Sequence, residues 1–423
     1  MRYEGKKLLI LGGFAMLMEA VEWARSEGAY VIVTDYYPSS PAKKLADEAW
    51  DISTAEIELL SRRCKEAGVN GVFAAFDDFN VGKAAQLSEA LGLPFYATSA
   101  QTVETMDKSR FKANCMEFGV PTTPLVDIEG KDPKSLPYPI IVKPVDGSGS
   151  RGIKVCYGPD DLAEALEKAT TTSKSNHYLV EKYLVGDEVG TNYFLQDGTI
   201  SVSAMHDRYL QVKSISEVKL PLAYVYPSKY THGYLANEDH LVADMFRGLG
   251  MRNGSLFLQG CVDGNGVVYY YEMGYRLNGA KQYQIIEGEC GFNPMHCLIN
   301  YSLTGEMADE DVASRATPQW KSVYCTLSLL IRPGKVKEVL GLDQIRTEPT
   351  VIGITQWCFP GNELDDTVLG TQKQIAARIT IKAADYEELA TIINKVNEVF
   401  DVLDVNGKSM ILESFDTDRL FTR

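Results

Sequence analysis

The N-terminal part of the chain alternates short apolar runs with segments of helical periodicity. Residues 7–13 show a buried-strand pattern that ends in two glycines, residues 15–26 repeat apolar positions at helical spacing, and residues 30–34 are a second β-rich run. A third β-rich run at residues 71–75 precedes a helical segment at residues 81–91. This alternation predicts an α/β unit with a Rossmann-like βαβ start.

The pattern changes twice further along the chain. A helical segment at residues 106–118 introduces a stretch dominated by β-rich runs, interrupted at residues 170–175 by a polar segment that predicts a solvent-exposed loop. From about residue 331, short β-rich runs are separated by Pro-Gly and Asn-Gly turns, with one helical stretch at residues 385–399. The chain therefore predicts a multidomain α/β and α+β protein with a small, β-rich C-terminal domain.

Composition restricts the class of protein. Of the 423 residues, 45% are hydrophobic and 23% are charged, and the formal net charge is −15 without any Lys/Arg-rich run, which argues against a nucleic-acid partner. No apolar run approaches the ~18 residues that a membrane span needs, and the first apolar run is too short for a signal sequence, so we expect a cytoplasmic protein with no membrane partner. The eight cysteines lack a C-x-x-C pair, which favours reduced thiols.

The most informative segment is a glycine-rich loop between two β-rich runs, from Ile140 to Cys156. Its glycines fit the pattern G-x-G-x-x-G, but a dinucleotide fingerprint must open a helix, whereas the residues after this loop alternate like a strand. A loop between two strands can instead fold over a polyphosphate and offer backbone N–H groups, while Lys143 and Arg151 neutralise charge. The loop therefore predicts nucleoside triphosphate binding by Gly147, Ser148, Gly149, Ser150 and Gly152.

Three further blocks accompany this loop at a recognisable spacing: residues 106–112, residues 178–188 and residues 268–276. Together the four blocks resemble the ATP-grasp superfamily, which includes biotin carboxylase, D-alanine:D-alanine ligase and the L-amino-acid ligases. The resemblance implies an ATP-grasp fold with an N-terminal Rossmann-like domain and a C-terminal domain similar to that of L-amino-acid ligases. The implied divisions are 1–103, 104–330 (lid subdomain 104–182 and metal-bearing subdomain 183–330) and 331–423.

The resemblance also assigns the ATP site. Lys108 and Lys143 match the family lysines that contact the phosphates, and the hinge at Glu181, Lys182 and Leu184 matches the segment that meets the adenine edge. Glu188 matches the carboxylate that accepts hydrogen bonds from the ribose hydroxyls. Lys143 and Arg276 are the expected catalytic cations. Lys143 would face charge that develops during phosphoryl transfer, and Arg276 would stabilise the acyl phosphate or bind a substrate carboxylate.

The metal end departs from the family pattern. Gln259 and Glu272 fill two ligand positions for Mg²⁺, with Mn²⁺ as an alternative, but Gly274 stands where the family has an asparagine in E-x-N-x-R. Glycine has no side-chain oxygen, and oxygen ligands are what Mg²⁺ requires. Either Asn278 substitutes, or the glycine weakens the metal site, or it makes room for a substrate.

The resemblance implies an ATP-dependent carboxylate–amine ligase that forms an amide, such as a dipeptide-like product, from small molecules through an acyl phosphate. Its partners would be a small carboxylate and an amine, and the family also allows a homodimer. One alternative is a bicarbonate-activating carboxylase or carbamoyl-phosphate-type enzyme. An alternative of another class, motivated by Gly274, is a nucleotide-binding protein with weakened catalysis. The sequence names neither substrate.

Overall fold

The computed structural model describes residues 1–147, 151–212 and 219–422. The N-terminal region contains a parallel sheet with strand order β3-β2-β1-β4, and the apolar residues Leu8 to Leu11 of its central strand are completely buried. Helices cover this sheet, as expected for parallel strands. The elements are β1 (Lys7–Leu11), α1 (Met18–Ser26), β2 (Tyr30–Thr34), β3 (Glu48–Trp50), α2 (Ile57–Ala67), β4 (Gly71–Phe73), α3 (Asp78–Leu91), α4 (Ser99–Met106) and α5 (Lys108–Glu117).

The lid region follows as a small antiparallel sheet of order β6-β5-β7 with one helix packed on it. Ile140, Val142, Ala165 and Val180 contribute to a core of its own, separate from the rest of the molecule. The antiparallel pairing of its first two strands confirms the predicted glycine-loop hairpin. The elements are β5 (Ile140–Pro144), β6 (Lys154–Cys156), α6 (Leu162–Thr172) and β7 (Tyr178–Lys182).

The helix α6 corrects the prediction of a polar loop at residues 170–175. It continues to Thr172, because Leu162, Ala165 and Ala169 form an apolar face that packs into the lid core. Tertiary packing of that face outweighs the low helix propensity of the threonines at its end.

A long antiparallel sheet forms the body of the molecule. Some of the helices connected to its strands pack on the N-terminal region, and one hydrophobic core runs from Leu9 of β1 to Tyr270 and Leu298. The elements are β8 (Asp187–Gln196), β9 (Thr199–Leu210), β10 (Pro221–Tyr226), α7 (Thr231–Asn237), α8 (Asp239–Gly248), β11 (Gly254–Val262), β12 (Val268–Gly274), α9 (Gln282–Cys290) and α10 (Pro294–Thr304).

The C-terminal strands extend this same sheet. Its order is β12-β11-β8-β9-β10-β13-β17-β15, and β19 also pairs with β13. A smaller sheet of order β16-β14-β18 lies beside it. The elements are β13 (Val323–Ile331), β14 (Gly334–Leu340), α11 (Leu342–Arg346), β15 (Val351–Gln356), β16 (Glu363–Leu364), β17 (Ile375–Ala383), α12 (Tyr386–Val399), β18 (Asp401–Asp404) and β19 (Ile411–Glu413).

The predicted fold class is confirmed, with a parallel N-terminal sheet, a lid and a β-rich C-terminal region. The strand β13 crosses the predicted boundary between residues 330 and 331, and α4 crosses the one at residue 103. The sheet is therefore continuous from the metal-bearing region into the C-terminal region, and the exact domain divisions stay a prediction. In the described part of the chain, no helix is long and apolar enough to cross a membrane.

Candidate active site

A cleft lies between the lid, the N-terminal region and the edge of the large sheet. Lys108 and Gly147 line one side of a cavity of about 510 Å³ in this cleft, and Glu272 and Arg276 line the other. Lys108 begins α5, which is capped by the Asp107 carboxylate accepting from the backbone N–H groups of residues 109 and 110. The cap positions Lys108 so that its Nζ donates to the Gly147 carbonyl oxygen at 2.6 Å.

Lys143 lies in a buried ionic cluster with Glu181 and Lys112. Its Nζ is 2.8 Å from Glu181 Oε2, and Lys112 Nζ is 2.9 Å from Glu181 Oε1. The hydroxyl of Thr123 donates to Glu181 Oε2 at 2.6 Å. The neighbouring strands β5 and β7 place Lys143 and Glu181 side by side, and the helix α5 supplies Lys112. Lys112 and Thr123 were not among the predicted site residues, because only the fold brings them to Glu181.

The charges in this cluster support one another. Burial lowers the pKa of Lys143, and the charge of Glu181 opposes that shift. Burial also opposes ionisation of Glu181, but Lys143 and then Lys112 outweigh it and lower the pKa of this carboxyl. Two lysines and one carboxylate leave an excess of positive charge beside the cleft, which suits a polyphosphate.

The structure describes both ends of the glycine loop, Gly147 and Gly152. Gly152 has φ +77°, and a Cβ on it would lie 2.7 Å from Cβ of Thr172, so both backbone conformation and space require glycine there. Gly147 lies at the other end of the loop, beside Lys108. Ser148, Gly149 and Ser150 lie outside the described residues, and their phosphate contacts stay a prediction.

The predicted adenine and ribose end forms a second cavity, of about 340 Å³, lined by Leu184 and Glu188 among others. Glu188 Oε2 lies 2.5 Å from Arg208 Nη1 and accepts a hydrogen bond from the Tyr271 hydroxyl at 3.2 Å. Arg208 also borders the metal end of the cleft, so it joins the two cavities. Tyr271 and Glu188, acting against burial, raise the pKa of the Arg208 guanidinium.

Arg208 is a site residue that the sequence did not identify as such. It lies opposite Glu188 in the β8–β9 register, and strand pairing alone could have suggested the contact. The side chain of Lys182 is exposed, and its backbone N–H donates to the Pro124 carbonyl oxygen at 2.9 Å. The Glu181 carboxylate is held by two lysines, and contact of this hinge with an adenine edge stays a prediction.

Gln259 and Glu272 are directly paired across β11 and β12, and both line a cavity of about 500 Å³ at the metal end. In the described part of the chain, neither side chain makes a hydrogen bond or ion pair within the protein. Two oxygen donors that face a cavity fit Mg²⁺, which is often held by one or two protein oxygens together with phosphates and water. Among the described residues, no cluster of three or more His, Cys, Asp or Glu side chains could hold a metal ion by itself.

The predicted substitute for the missing asparagine is already engaged. Asn278 Oδ1 accepts a hydrogen bond from the backbone N–H of Ala280 at 2.9 Å, in a local turn. The space beside Gly274 is filled by another residue of the chain, because a Cβ on Gly274 would overlap Cε1 of Phe257. Phe257 pairs with Gly274 across the two strands, and its ring lies 4.9 Å from the Arg276 guanidinium. The glycine therefore accommodates an aromatic ring that packs against the expected catalytic arginine.

Arg276 is held from the N-terminal region. Its Nε and Nη2 lie 2.6 and 2.9 Å from the two carboxylate oxygens of Asp78, a bidentate pair, and its Nη1 donates to the Leu277 carbonyl oxygen at 3.1 Å. Burial disfavours the charged guanidinium, but Asp78 outweighs it and raises the Arg276 pKa. In the sequence, Asp78 marks only the end of a β-rich run, and nothing in its local pattern indicates so distant a partner.

His206, in an aromatic and polar tract that could have formed a substrate wall, packs against the rings of Tyr224 and Tyr226. Burial lowers its pKa to about 3. It is therefore a neutral core residue near neutral pH and is poorly suited to act as a general base.

Comparisons with known proteins agree with this fold. A family model for the ATP-grasp domain matches residues 136–283. Over 187 residues the chain is 29% identical to a formate-dependent phosphoribosylglycinamide formyltransferase from Synechococcus sp. (strain WH7803), a match that covers 42% of this chain and 48% of that protein. The chain spans about half the length, or less, of the curated relatives it matches.

Solved structures match over nearly the whole chain. An L-amino acid ligase from Bacillus licheniformis has a TM-score of 0.77 at 18% identity, covering 95% of this chain and 99% of that one. The biotin carboxylase domain of a 2-oxoglutarate carboxylase from Hydrogenobacter thermophilus, solved with MgADP and bicarbonate, has a TM-score of 0.75 at 18% identity and covers 96% and 91%. At this identity the likeness establishes the fold. Residues 136–283 thus form an ATP-grasp domain, and the chain resembles the ATP-grasp superfamily of ligases and carboxylases in both sequence and fold.

Proposed function

We propose that this protein is an ATP- and Mg²⁺-dependent ligase that joins a small carboxylate to a small amine. The observation that carries the proposal is that one cleft unites the cations Lys108 and Arg276 with Glu272, beside Gly147 at the start of the glycine loop. Such an arrangement suits the transfer of a phosphoryl group between a nucleotide on the lid side and an acid on the sheet side. The ATP-grasp family match supports the nucleotide.

In the proposed reaction, a substrate carboxylate oxygen attacks the γ-phosphorus of ATP, and the bond to the β-phosphate oxygen breaks to release ADP. The amine nitrogen then attacks the acyl carbon, phosphate leaves, and the nitrogen loses its proton. The products are an amide, ADP and hydrogen phosphate, which takes up the proton that the nitrogen loses, so atoms and charge balance. A neutral amine is needed for this attack, because a protonated amine has no free electron pair.

The proposed role of each residue follows from where it lies in the cleft. Lys108 and Lys143 bind phosphate oxygens, and Glu181 is a positioning residue that holds Lys143 at 2.8 Å. Mg²⁺, bound through oxygens of Gln259 and Glu272, would supply positive charge that stabilises the phosphates. Arg276 lies where it can bind an oxyanion through the guanidinium edge that Asp78 does not use.

The structural likeness to an L-amino acid ligase, which covers 95% of this chain, supports the ligase function. Bicarbonate chemistry is the second candidate, since the biotin carboxylase domain that matches nearly as well was solved with bicarbonate. The two differ in which acid stimulates ATP cleavage.

The experiment is a screen of purified protein with ATP and Mg²⁺ against pools of small carboxylates and amines. We expect ADP release only when an acid and an amine are both present, with the amide identified by mass spectrometry. Glu272→Gln serves as the inactive control for contaminating ATPases. ADP release that depends on bicarbonate alone would favour the carboxylase, and ATP binding without turnover in any pool would favour a nucleotide-binding protein.

A further inference from the structure

Arg378 reaches the metal end of the cleft from the C-terminal strand β17. The side chain is buried and lines the same cavity as Glu272 and Arg276. Its Nη1 donates to the Gly279 carbonyl oxygen at 2.5 Å, and its Nε donates to the Ser328 hydroxyl at 3.3 Å. The turn that follows Arg276 is therefore tied to the C-terminal region through this guanidinium.

The Arg378 guanidinium also lies near two aromatic rings, and some of its N–H groups have no acceptor among the described residues. Its carbon lies 5.7 Å from the ring centre of Tyr224 and 5.6 Å from that of Trp357. Nη2 has one long hydrogen bond, to Gln372 Oε1 at 3.5 Å. Because a guanidinium carries five N–H groups, about two of them remain for a ligand.

Among the residues that the structure describes, Arg378 has no carboxylate partner, unlike the other arginines of the cleft. Arg208 is paired with Glu188 and Arg276 with Asp78, each at hydrogen-bonding distance. Within the described residues, Arg378 makes only the neutral contacts given above. A buried cation without a counter-charge is unfavourable, and an oxyanion bound in the cavity would supply the missing charge.

The walls of this cavity indicate what carries the oxyanion. Phe14 and Met16 from the loop after β1, together with Phe257, form an apolar side, and Gln259 and Glu272 form the metal side. The phosphorylated carboxylate belongs beside the metal and Arg276. A second carboxylate in the same cavity therefore belongs to the other substrate.

We propose that the amine substrate is an amino acid whose carboxylate is bound by Arg378 and whose side chain packs against Phe14 and Met16. This inference rests on the proposed ligase function. Arg378 is then a specificity-determining residue that selects amines carrying a carboxylate, and the C-terminal region contributes directly to substrate choice.

The test is a competition between each amino acid and its own carboxamide as the amine, with the acid found in the screen as the common donor. Mass spectrometry gives the ratio of products ending in a carboxylate to products ending in a carboxamide. The carboxamide has the less basic amine, so a larger fraction of it is in the reactive, unprotonated form near neutral pH. A preference for the amino acid must therefore come from binding.

We expect the wild-type protein to favour the amino acid roughly ten- to a hundredfold, the range for hydrogen bonds to a charged group. Arg378→Gln should bring the ratio close to one, and Arg378→Lys should retain part of the preference. Lys382→Gln, on the same strand but paired with Glu289 away from the cavity, is the matched control and should keep the wild-type ratio.

Equal use of the amino acid and the carboxamide by the wild type would overturn the assignment. This result needs no variant, so the proposal can be tested even if Arg378→Gln does not fold. A preference that persists unchanged in Arg378→Gln would also overturn it. If no acid and amine pair supports turnover, the proposed ligase function fails and this inference fails with it, which is a distinct result.

Discussion

At the scale of single residues, the cleft is organised by partners that lie far apart in the chain. Lys143 and Glu181 are held together by strand pairing, and Lys112 completes their cluster from a helix. The cluster is buried, so its charges interact more strongly than surface pairs do. Two predictions belong to these residues.

Lys143→Ala should abolish most turnover while the protein remains folded. The remaining pair of Lys112 and Glu181 keeps the carboxylate compensated, whereas the phosphate loses a cation that matters most in the transition state. Loss of one such donor lowers kcat by about 10²–10³-fold. Steady-state ADP release measures the effect, with Lys134→Ala on the exposed lid surface as control. Near-wild-type kcat in Lys143→Ala would remove this lysine from the ATP site.

Glu181 should give the protein an acid-sensitive contribution to stability. Its pKa is lower in the folded protein than in the unfolded chain, so the unfolded chain binds more protons as the pH falls below the usual glutamate range of about 4.3. The stability it contributes is complete above that value and is lost as the pH falls through the lowered pKa. The free energy of unfolding, measured with urea from pH 7 to pH 3, should therefore be higher for the wild type than for Glu181→Gln near neutral pH. This difference should become smaller as the pH falls. A difference in the free energy of unfolding that does not change with pH would contradict an ionised Glu181 paired with Lys143.

At the scale of elements, the pairing of β11 with β12 builds the metal end. It aligns Gln259 with Glu272 and Phe257 with Gly274. The sequence could place the two ligands on neighbouring β-rich runs, because family spacing fixes them. It could not show that Phe257 fills the space beside Gly274, since cross-strand register is decided by the folded sheet.

The same limit applies to other parts of the site. Strands β1, β2 and the glycine hairpin were predicted from local pattern, because buried strands and turn glycines leave a direct signal. Asp78, Arg208 and Arg378 were not identified as site residues, because a charged side chain looks the same in sequence whether it is solvated or buried against a distant partner. The joining of the C-terminal strands to the main sheet was missed for a similar reason, since edge pairing has no local signature.

Glu272 should make activity dependent on divalent metal. Glu272→Gln replaces an ionised carboxylate by a neutral amide, a weaker ligand for Mg²⁺, so we expect turnover to fall steeply and the Mg²⁺ needed for half-maximal rate to rise. Titration of Mg²⁺ at fixed ATP checks both values, and Glu129→Gln on the exposed lid surface is the control. ADP formation that continues in excess chelator would contradict a metal at this pair.

Gly274→Asn should destabilise the protein through Phe257. The Cβ of the new side chain would overlap the edge of the Phe257 ring, and such overpacking costs about 1–3 kcal/mol. The double variant with Phe257→Ala should recover much of this loss, which urea unfolding in a double-mutant cycle will measure. Gly264→Asn, in a turn with open space around it, should be nearly neutral. Simple additivity of the two changes would mean that the ring and the glycine are not coupled.

At the scale of the whole molecule, three regions meet at one cleft. The lid supplies Gly147, the N-terminal region supplies Asp78, and the C-terminal region supplies Arg378, all around the edge of the large sheet. A shared hydrophobic core joins the N-terminal region to this sheet, whereas the lid has a core of its own. The lid is thus the part best able to move as a unit, while Asp78 and Arg276 are held by rigid neighbours.

Asp78→Asn tests whether the N-terminal region positions the catalytic arginine. The carboxylate binds Arg276 through two oxygens, at 2.6 and 2.9 Å, and a neutral amide can offer only one acceptor and no charge. A displaced guanidinium should lower kcat about ten- to a hundredfold, because small errors in geometry are costly when a charge must meet a developing oxyanion. The loss of a charged hydrogen-bond pair should also lower the free energy of unfolding by about 1.5–3 kcal/mol.

Asp127→Asn, which removes an exposed pair with Lys131, is the control for both measurements and should change neither kcat nor the free energy of unfolding by much. If Asp78→Asn loses stability but keeps kcat, the ion pair serves only to dock the N-terminal region, and Arg276 acts in turnover without its help.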